Sequence, residues 1–129
     1  ILPTELIELE LTVLANDLFA NSLKQLLNLK KLKLRNVNHN INNCLPESLE
    51  ILDLGDKYSH RIFKLPTYLK ELHIGIPQEE DSHDLPNLRK LTIKYLPKIS
   101  WCNNFNFSKL EELCIKSGKA GLKLPSLKK

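Results

Sequence analysis

A leucine motif that returns every 17 to 23 residues constrains the fold of this chain more than any other feature. Its clearest copy is LPESLEILDLG, from Leu45 to Gly55, in which a Leu-Pro turn precedes a Leu-x-x-Leu-x-Leu segment. The leading leucines of the copies are Leu6, Leu29, Leu49, Leu69, Leu88, Leu110 and Leu127. A period near twenty residues indicates a repeat protein, in which each copy stacks on its neighbours and extends one continuous core.

The second half of each copy alternates apolar and polar residues, which predicts a short strand with one buried face. Repetition of the unit predicts seven such strands in parallel. The spacer from Asn16 to Leu27 places leucines at near-helical spacing after a capping Asn or Asp, so we expect one short helix there. The other spacers leave about ten residues and contain Pro77 and Pro97, which favours extended or 3₁₀ turns.

These copies resemble the leucine-rich repeat superfamily, whose Leu-x-x-Leu-x-Leu segments form a parallel sheet on the concave face of a curved solenoid. The Leu-Pro copies look most like the FNIP type, and GDKYSHRI, from Gly55 to Ile62, is similar to its glycine, aromatic and isoleucine spacing. They also look like the Leu-Pro-rich repeats of bacterial effector ubiquitin ligases. The resemblance implies an α/β repeat solenoid, a leucine-rich-repeat arc with a concave parallel β-sheet and mostly irregular or 3₁₀ convex turns.

We expect residues 1–129 to form a single domain of about seven repeats that is a fragment of a longer solenoid. One position departs from the family pattern, since ordinary leucine-rich repeats carry Asn or Cys eight residues after the leading leucine. Here these positions hold Leu14, Val37, Lys57, Pro77, Leu96 and Gly118. Without that side-chain ladder, buried backbone groups need other partners, and we expect irregular loops at this edge.

The outward residues beside the strand leucines fall into three rows that cross the strands. The first row contains Glu8, Lys31, Ile51, Glu71, Lys90, Glu112 and Lys129. The second contains Glu10, Lys33, Asp53, His73, Thr92 and Cys114. The third contains Thr12, Arg35, Gly55, Gly75, Lys94 and Lys116. Opposite charges alternate along the first two rows, as in the facing pairs Glu8 with Lys31 and Glu71 with Lys90, which favours solubility and strand register over recognition.

The third row has no acid and so predicts a basic strip interrupted by two glycines. Gly55 and Gly75 would leave a dent between Arg35 and Lys94, where an acidic peptide segment could approach the backbone. Alternatively, the glycines only relax the strand ends into turns. The candidate partner-binding residues are Arg35, Ile51, Asp53, Gly55, His73, Gly75, Lys94 and Lys116.

Taken with the resemblance, these rows predict a noncatalytic protein-protein interaction module that binds a protein partner on its concave face. The alternative is the substrate-recognition arm of a ubiquitin ligase, of the F-box or bacterial effector type. Trp101 is either an interface anchor in a loop running from Pro97 to Phe105 or a side chain packed on its own solenoid. The sequence leaves the identity of the partner and the oligomeric state open.

Other classes of function have little support in the residues. The net charge of +4 arises from 19 basic and 15 acidic residues that are interleaved, which argues against nucleic-acid binding. No Gly-x-Ser-x-Gly, phosphate loop or dinucleotide fingerprint occurs, so we predict no catalytic residues and no cofactor. The spacing of the cysteines and histidines does not suit zinc, and His73 and Cys114 are expected two strands apart, so we predict no metal site.

The expected location follows from two further observations. No apolar run approaches the roughly 18 residues of a membrane span, and the first residues lack the order of charges and apolar residues found in a secretory signal. Three cysteines are an odd number in a domain of this size, which favours a reducing compartment. We therefore predict a cytoplasmic protein, or one in the host cytosol if the chain is a secreted effector.

Overall fold

The computed structural model describes residues 4–12, 22–35, 41, 44–56, 58, 65–77, 83–96, 105–106 and 108–118. In chain order its strands are β1 (Glu8–Leu11), β2 (Lys31–Leu34), β3 (Ile51–Asp53), β4 (Glu71–Ile74), β5 (His83–Asp84), β6 (Lys90–Leu96), β7 (Phe105–Asn106) and β8 (Glu112–Gly118). A six-stranded parallel sheet has the order β1-β2-β3-β4-β6-β8, and β5 pairs with β7 in a second parallel sheet. The described chain is therefore a parallel β-sheet solenoid.

The register of the main sheet follows the leucine motif. Equivalent leucines pair across all six strands, in the order Leu9, Leu32, Leu52, Leu72, Leu91 and Leu113. From β2 to β6 these side chains are at most 2% exposed, because alternation along each strand turns them into the core. Six of the predicted parallel strands are thus confirmed, and the seventh copy, at residues 124–129, lies outside the described residues.

The leading leucines are held by tight turns that come before the strands. Their N–H groups donate to the carbonyl three residues earlier in the copies at Leu29, Leu49, Leu69 and Leu88. In two copies that carbonyl belongs to proline, at Pro46 and Pro66, where the lack of an N–H does no harm. Each of these leading leucines therefore closes a 3₁₀-type turn, and its side chain is fully buried.

A backbone ladder joins each repeat to the next where the strands begin. The carbonyl of Ile7 accepts the N–H groups of Lys30 and Lys31, at 2.7 and 3.1 Å. The same arrangement recurs at the carbonyls of Lys30, Glu50, Lys70 and Arg89. Ser48 adds a side-chain link, since its hydroxyl donates to the carbonyl of Leu29 at 2.7 Å. These bonds satisfy the backbone groups that enter the sheet.

Helix is almost absent from the described chain. Of the helix predicted from Asn16 to Leu27, residues 16–21 lie outside the described residues, and only Ser22 and Leu23 are helical in the remainder. The backbone hydrogen bonds donated by residues 25–29 span three residues or fewer, as in a series of tight turns. In the part of the chain that the structure describes, no helix is long and apolar enough to cross a membrane.

The prediction of irregular loops after the strands is wrong for two repeats. Leu96 and Gly118 lie within strands, because β6 and β8 continue past the motif and pair with each other through Tyr95 with Ser117 and Leu96 with Gly118. Their backbone groups are satisfied by the neighbouring strand, so no side-chain ladder is needed there. Trp101 and most of its predicted loop lie outside the described residues; the last residue of that loop, Phe105, is in β7.

Candidate functional site

The outward side chains of the main sheet form one surface, which we call the open face. The strand register confirms its first two predicted rows from β1 to β8. The first contains Glu8, Lys31, Ile51, Glu71, Lys90 and Glu112, and the second Glu10, Lys33, Asp53, His73, Thr92 and Cys114. These side chains are exposed or half-buried, whereas the leucines between them are turned into the core. The predicted separation of His73 and Cys114 by two strands is also confirmed.

The charges on the open face pair differently from the predicted order. Lys31 pairs with Glu8, as its row position implies, but Glu10 pairs with Arg35 of the third row and not with Lys33. Lys90 lies between Glu71 and Glu112, and its ammonium pairs with the carboxylate of Glu112, at 3.7 Å, and not with that of Glu71. Long side chains lean along the strands, so a residue two positions further on competes with the direct neighbour.

A second line of charges lies where the strands begin. The carboxylate of Glu50 contacts the ammonium groups of Lys70 at 3.3 Å and Lys30 at 3.5 Å, so it links three successive repeats. Lys70 and then Lys30 hold the pKa of Glu50 below its ordinary value. Arg89 and Glu111 form a further pair at 3.2 Å. Such exposed pairs favour the register of the strands more than they stabilise the fold.

The middle of the open face holds a shallow depression of about 230 Å³. Its lining includes Lys33, Ile51, Asp53, Glu71, His73 and Thr92, contributed by β2, β3, β4 and β6. Ile51 is the only outward aliphatic side chain in the first two rows over the described strands, and it is half-buried among polar neighbours. An apolar centre within a charged rim is the arrangement expected of a surface that contacts another polypeptide.

His73 lies between two carboxylates at one side of this depression. Its Nε2 is 2.9 Å from Oδ1 of Asp56, and its Nδ1 is 3.8 Å from Oδ1 of Asp53. The hydrogen bond from His73, with the charges of Lys116 and Lys94, holds the pKa of Asp56 below its ordinary value against the opposing effect of partial burial. Both ring nitrogens therefore face acids of the chain itself.

Asp56 also changes the basic strip predicted for the third row. Its carboxylate lies 3.7 Å from the ammonium of Lys94 and 3.8 Å from that of Lys116, while Arg35 pairs with Glu10. The strip was expected to attract an acidic peptide because the row holds no acid. Instead, an acid from outside the row contacts both lysines, since the chain after β3 turns over the neighbouring strands.

The predicted dent at the two glycines is also wrong. Gly75 is buried, and a Cβ there would lie 2.6 Å from the carbonyl oxygen of Asp56 and 3.2 Å from that of Tyr58, so the chain's own backbone fills the space. Gly55 has a φ of +76°, and a Cβ there would lie 2.9 Å from the carbonyl oxygen of Leu34. The side chain of Asp53 fixes this turn by accepting the Gly55 N–H at 2.9 Å. The glycines permit close backbone packing and a turn.

The structure thus divides the candidate residues into two groups. Ile51, Asp53 and His73 meet in the depression. Arg35 follows β2, and Lys94 and Lys116 lie within β6 and β8; all three are in ion pairs within the chain. Gly55 and Gly75 lie in or under the turn that carries Asp56. Sequence reasoning missed Asp56, because a residue in a turn has no place in the strand rows. The one available signal was an acid directly after Gly55, the glycine that follows the strand motif.

Metal-ligating groups are not clustered in this part of the chain. Among the described residues, no group of three or more His, Cys, Asp or Glu side chains is arranged to hold a metal ion. Cys44 is buried in the core and Cys114 is exposed at the end of the second row, and neither is in a disulfide. Cys114 has Thr92 as its neighbour in β6, so a strand separates it from His73.

A scan against protein-family models, a search of curated proteins and a search of solved structures each return no match to this chain.

Proposed function

We propose that this chain is a noncatalytic protein-interaction module, a leucine-rich-repeat arc whose open face is concave and binds a protein partner at the depression around Ile51. The observation that carries the proposal is a half-buried isoleucine at the centre of a sheet face that is otherwise polar. Contact with a partner would remove this side chain from water, which contributes to affinity in proportion to the apolar area covered.

The shape and chemistry of the depression support a polypeptide partner over a small molecule. At about 230 Å³ it is smaller than the clefts of roughly 300–1,000 Å³ that enclose small ligands, and it is shallow. Its rim is polar and carries charges of both signs, as the rim of a protein interface can. Several strands contribute to it, so specificity would be spread over repeats in the manner of a solenoid.

The surroundings of His73 support the noncatalytic part of the proposal. A general base needs a ring nitrogen that can reach a substrate or a nucleophile. Here Nε2 is hydrogen-bonded to Asp56 and Nδ1 faces Asp53, so both ring nitrogens are turned to carboxylates of the chain. His73 therefore serves to join β4 to the turn after β3.

The proposal is tested by quantitative mass spectrometry of proteins captured from cell extract on the immobilised, folded chain. Ile51→Thr removes apolar surface and keeps a β-branched residue in the strand. The matched control is Ile76→Thr, the same exchange at an isoleucine that is 44% exposed and does not line the depression. We expect specific partners to be retained by the parent and the control and lost from Ile51→Thr. Identical capture by all three chains would contradict the proposal.

A further inference from the structure

Two charged side chains on the open face have no ionic partner among the described residues, and both lie in the depression. Lys33 has none because Glu10, its neighbour in the row, pairs with Arg35. Glu71 has none because Lys90, its neighbour in the row, pairs with Glu112. Most of the other charges on the open face are engaged within the chain, so these two remain to act on a partner.

The positions of Lys33 and Glu71 define a direction across the sheet. Lys33 is in the second row of β2 and Glu71 in the first row of β4, so β3 lies between them. Two strand spacings of about 4.8 Å and a two-residue rise of about 6.6 Å separate their Cα atoms by about 12 Å. The line that joins them crosses β3 between Ile51 and Asp53, which places the apolar side chain beside its midpoint.

Asp53 does not neutralise Lys33, although the two are paired in register. Its Oδ1 accepts the N–H of Gly55 at 2.9 Å and faces Nδ1 of His73 at 3.8 Å. The carboxylate is thereby turned toward β4 and the end of its own strand. The cation of Lys33 is left on one side of Ile51 and the anion of Glu71 on the other.

We propose that the depression recognises a polypeptide segment in which an acidic and a basic side chain flank an apolar one, with the acid on Lys33, the base on Glu71 and the apolar residue on Ile51. In an extended segment, residues i and i+4 share a face with i+2 and lie about 13 Å apart, which matches the separation of the two charges. Electrostatic complementarity of this kind fixes the orientation of the bound segment more than its affinity. The inference rests on the proposed function of the same face and adds the chemistry of the partner.

The test is selection of a displayed library of random twelve-residue peptides on the folded chain, followed by binding measurements with synthetic copies of the enriched peptides. We expect enriched sequences to carry an acid, an apolar residue and a base at alternate positions. The charge-exchanged chain, Lys33→Glu with Glu71→Lys, should select the opposite order of charges. Lys33→Gln and Glu71→Gln, which introduce no new repulsion, should each weaken binding of the original peptides about fivefold. Circular dichroism checks that each variant retains the parent's strand content.

The outcomes separate this inference from the proposed function. Peptides that depend on Ile51, shown by loss of binding to Ile51→Thr, but have no consistent charge order would overturn the inference and leave the interaction surface standing. Peptides that bind Ile51→Thr as well as the parent, or no enrichment at all, would contradict both. Competition of the selected peptides by a random-sequence single-stranded RNA would overturn the assignment to a polypeptide.

Discussion

Gly75→Ala should destabilise the solenoid, because the backbone after β3 occupies the place of the new methyl group. The Cβ would lie 2.6 Å from the carbonyl oxygen and 3.0 Å from the carbonyl carbon of Asp56, and 3.2 Å from the carbonyl oxygen of Tyr58. Overpacking of this kind costs about 1–3 kcal/mol. Loss of conformational entropy from the unfolded chain offsets about 0.4–1 kcal/mol. We therefore expect the free energy of unfolding to fall by about 1–2 kcal/mol.

Urea denaturation, monitored by far-ultraviolet circular dichroism, measures this change as a shift in the urea concentration at the midpoint of unfolding, with the dependence of the free energy on urea unchanged. The clashing atoms belong to the backbone, so the penalty should persist when Gly75→Ala is introduced into an Asp56→Ala chain. A variant as stable as the parent would refute the close approach. A penalty that disappears in the Asp56→Ala background would assign the cause to the side chain instead.

Three further predictions follow from the core, the buried hydroxyl and the ion pairs. Leu52→Ala, at a side chain that is 1% exposed, should cost about 2–5 kcal/mol in urea denaturation, and Leu52→Asp should prevent cooperative folding; an unchanged melt would contradict the register. Tyr58→Phe removes the buried hydroxyl that accepts the N–H of Ile41 at 3.3 Å, so it should cost about 1–3 kcal/mol and speed hydrogen exchange of that amide. Asp56→Asn should cost about 1 kcal/mol at neutral pH, since its pairs are partly exposed. Because the pKa of Asp56 is lowered in the fold, its contribution to the free energy of unfolding is present above about pH 4 and is lost as pH falls through that lowered pKa. The stabilities of the parent and of Asp56→Asn should therefore converge in acid.

The charge-reversal test suggested by the sequence changes meaning in the structure. The basic strip predicted from the sequence implies that charge reversal at Arg35, Lys94 and Lys116 weakens partner binding without unfolding the chain. Since Arg35 pairs with Glu10 and the two lysines contact Asp56, each reversal also places like charges together within the fold. Such variants therefore report on stability as well as on binding, and Ile51→Thr is the more specific probe of the open face.

The strands and their register could be predicted because they depend on local alternation and on the repeat. Each leading leucine marks a turn, and two positions later an outward residue begins a strand, as at Lys31, Ile51 and Glu71. A shift by one residue would turn the leucines into water, so the burial of one face determines the pairing. The rows of the open face, including Ile51 and His73, follow from this rule alone.

The contacts of the candidate site could not be predicted in the same way. The rows place oppositely charged side chains side by side, but the length and direction of each side chain decide which of them form an ion pair. Glu10 pairs with Arg35 and not with Lys33, and Lys90 pairs with Glu112 and not with Glu71. Repeat spacing also carries no information about where a turn goes after its strand ends. The position of Asp56 over Gly75 is a contact between different repeats, so only the folded chain shows it.

By itself, the sequence determined that this protein is a stack of parallel strands with a leucine core and three outward rows. Apolar and polar residues alternate within each copy of the motif, and the motif returns about every twenty residues, and few other arrangements satisfy both patterns. Only the tertiary structure decided what the third row does. The backbone after β3 packs against Gly75 and brings the carboxylate of Asp56 to His73, Lys94 and Lys116. The basic residues of the third row are therefore in ion pairs with acids of the chain itself. The charges without an ionic partner among the described residues, Lys33 and Glu71, lie beside Ile51 instead.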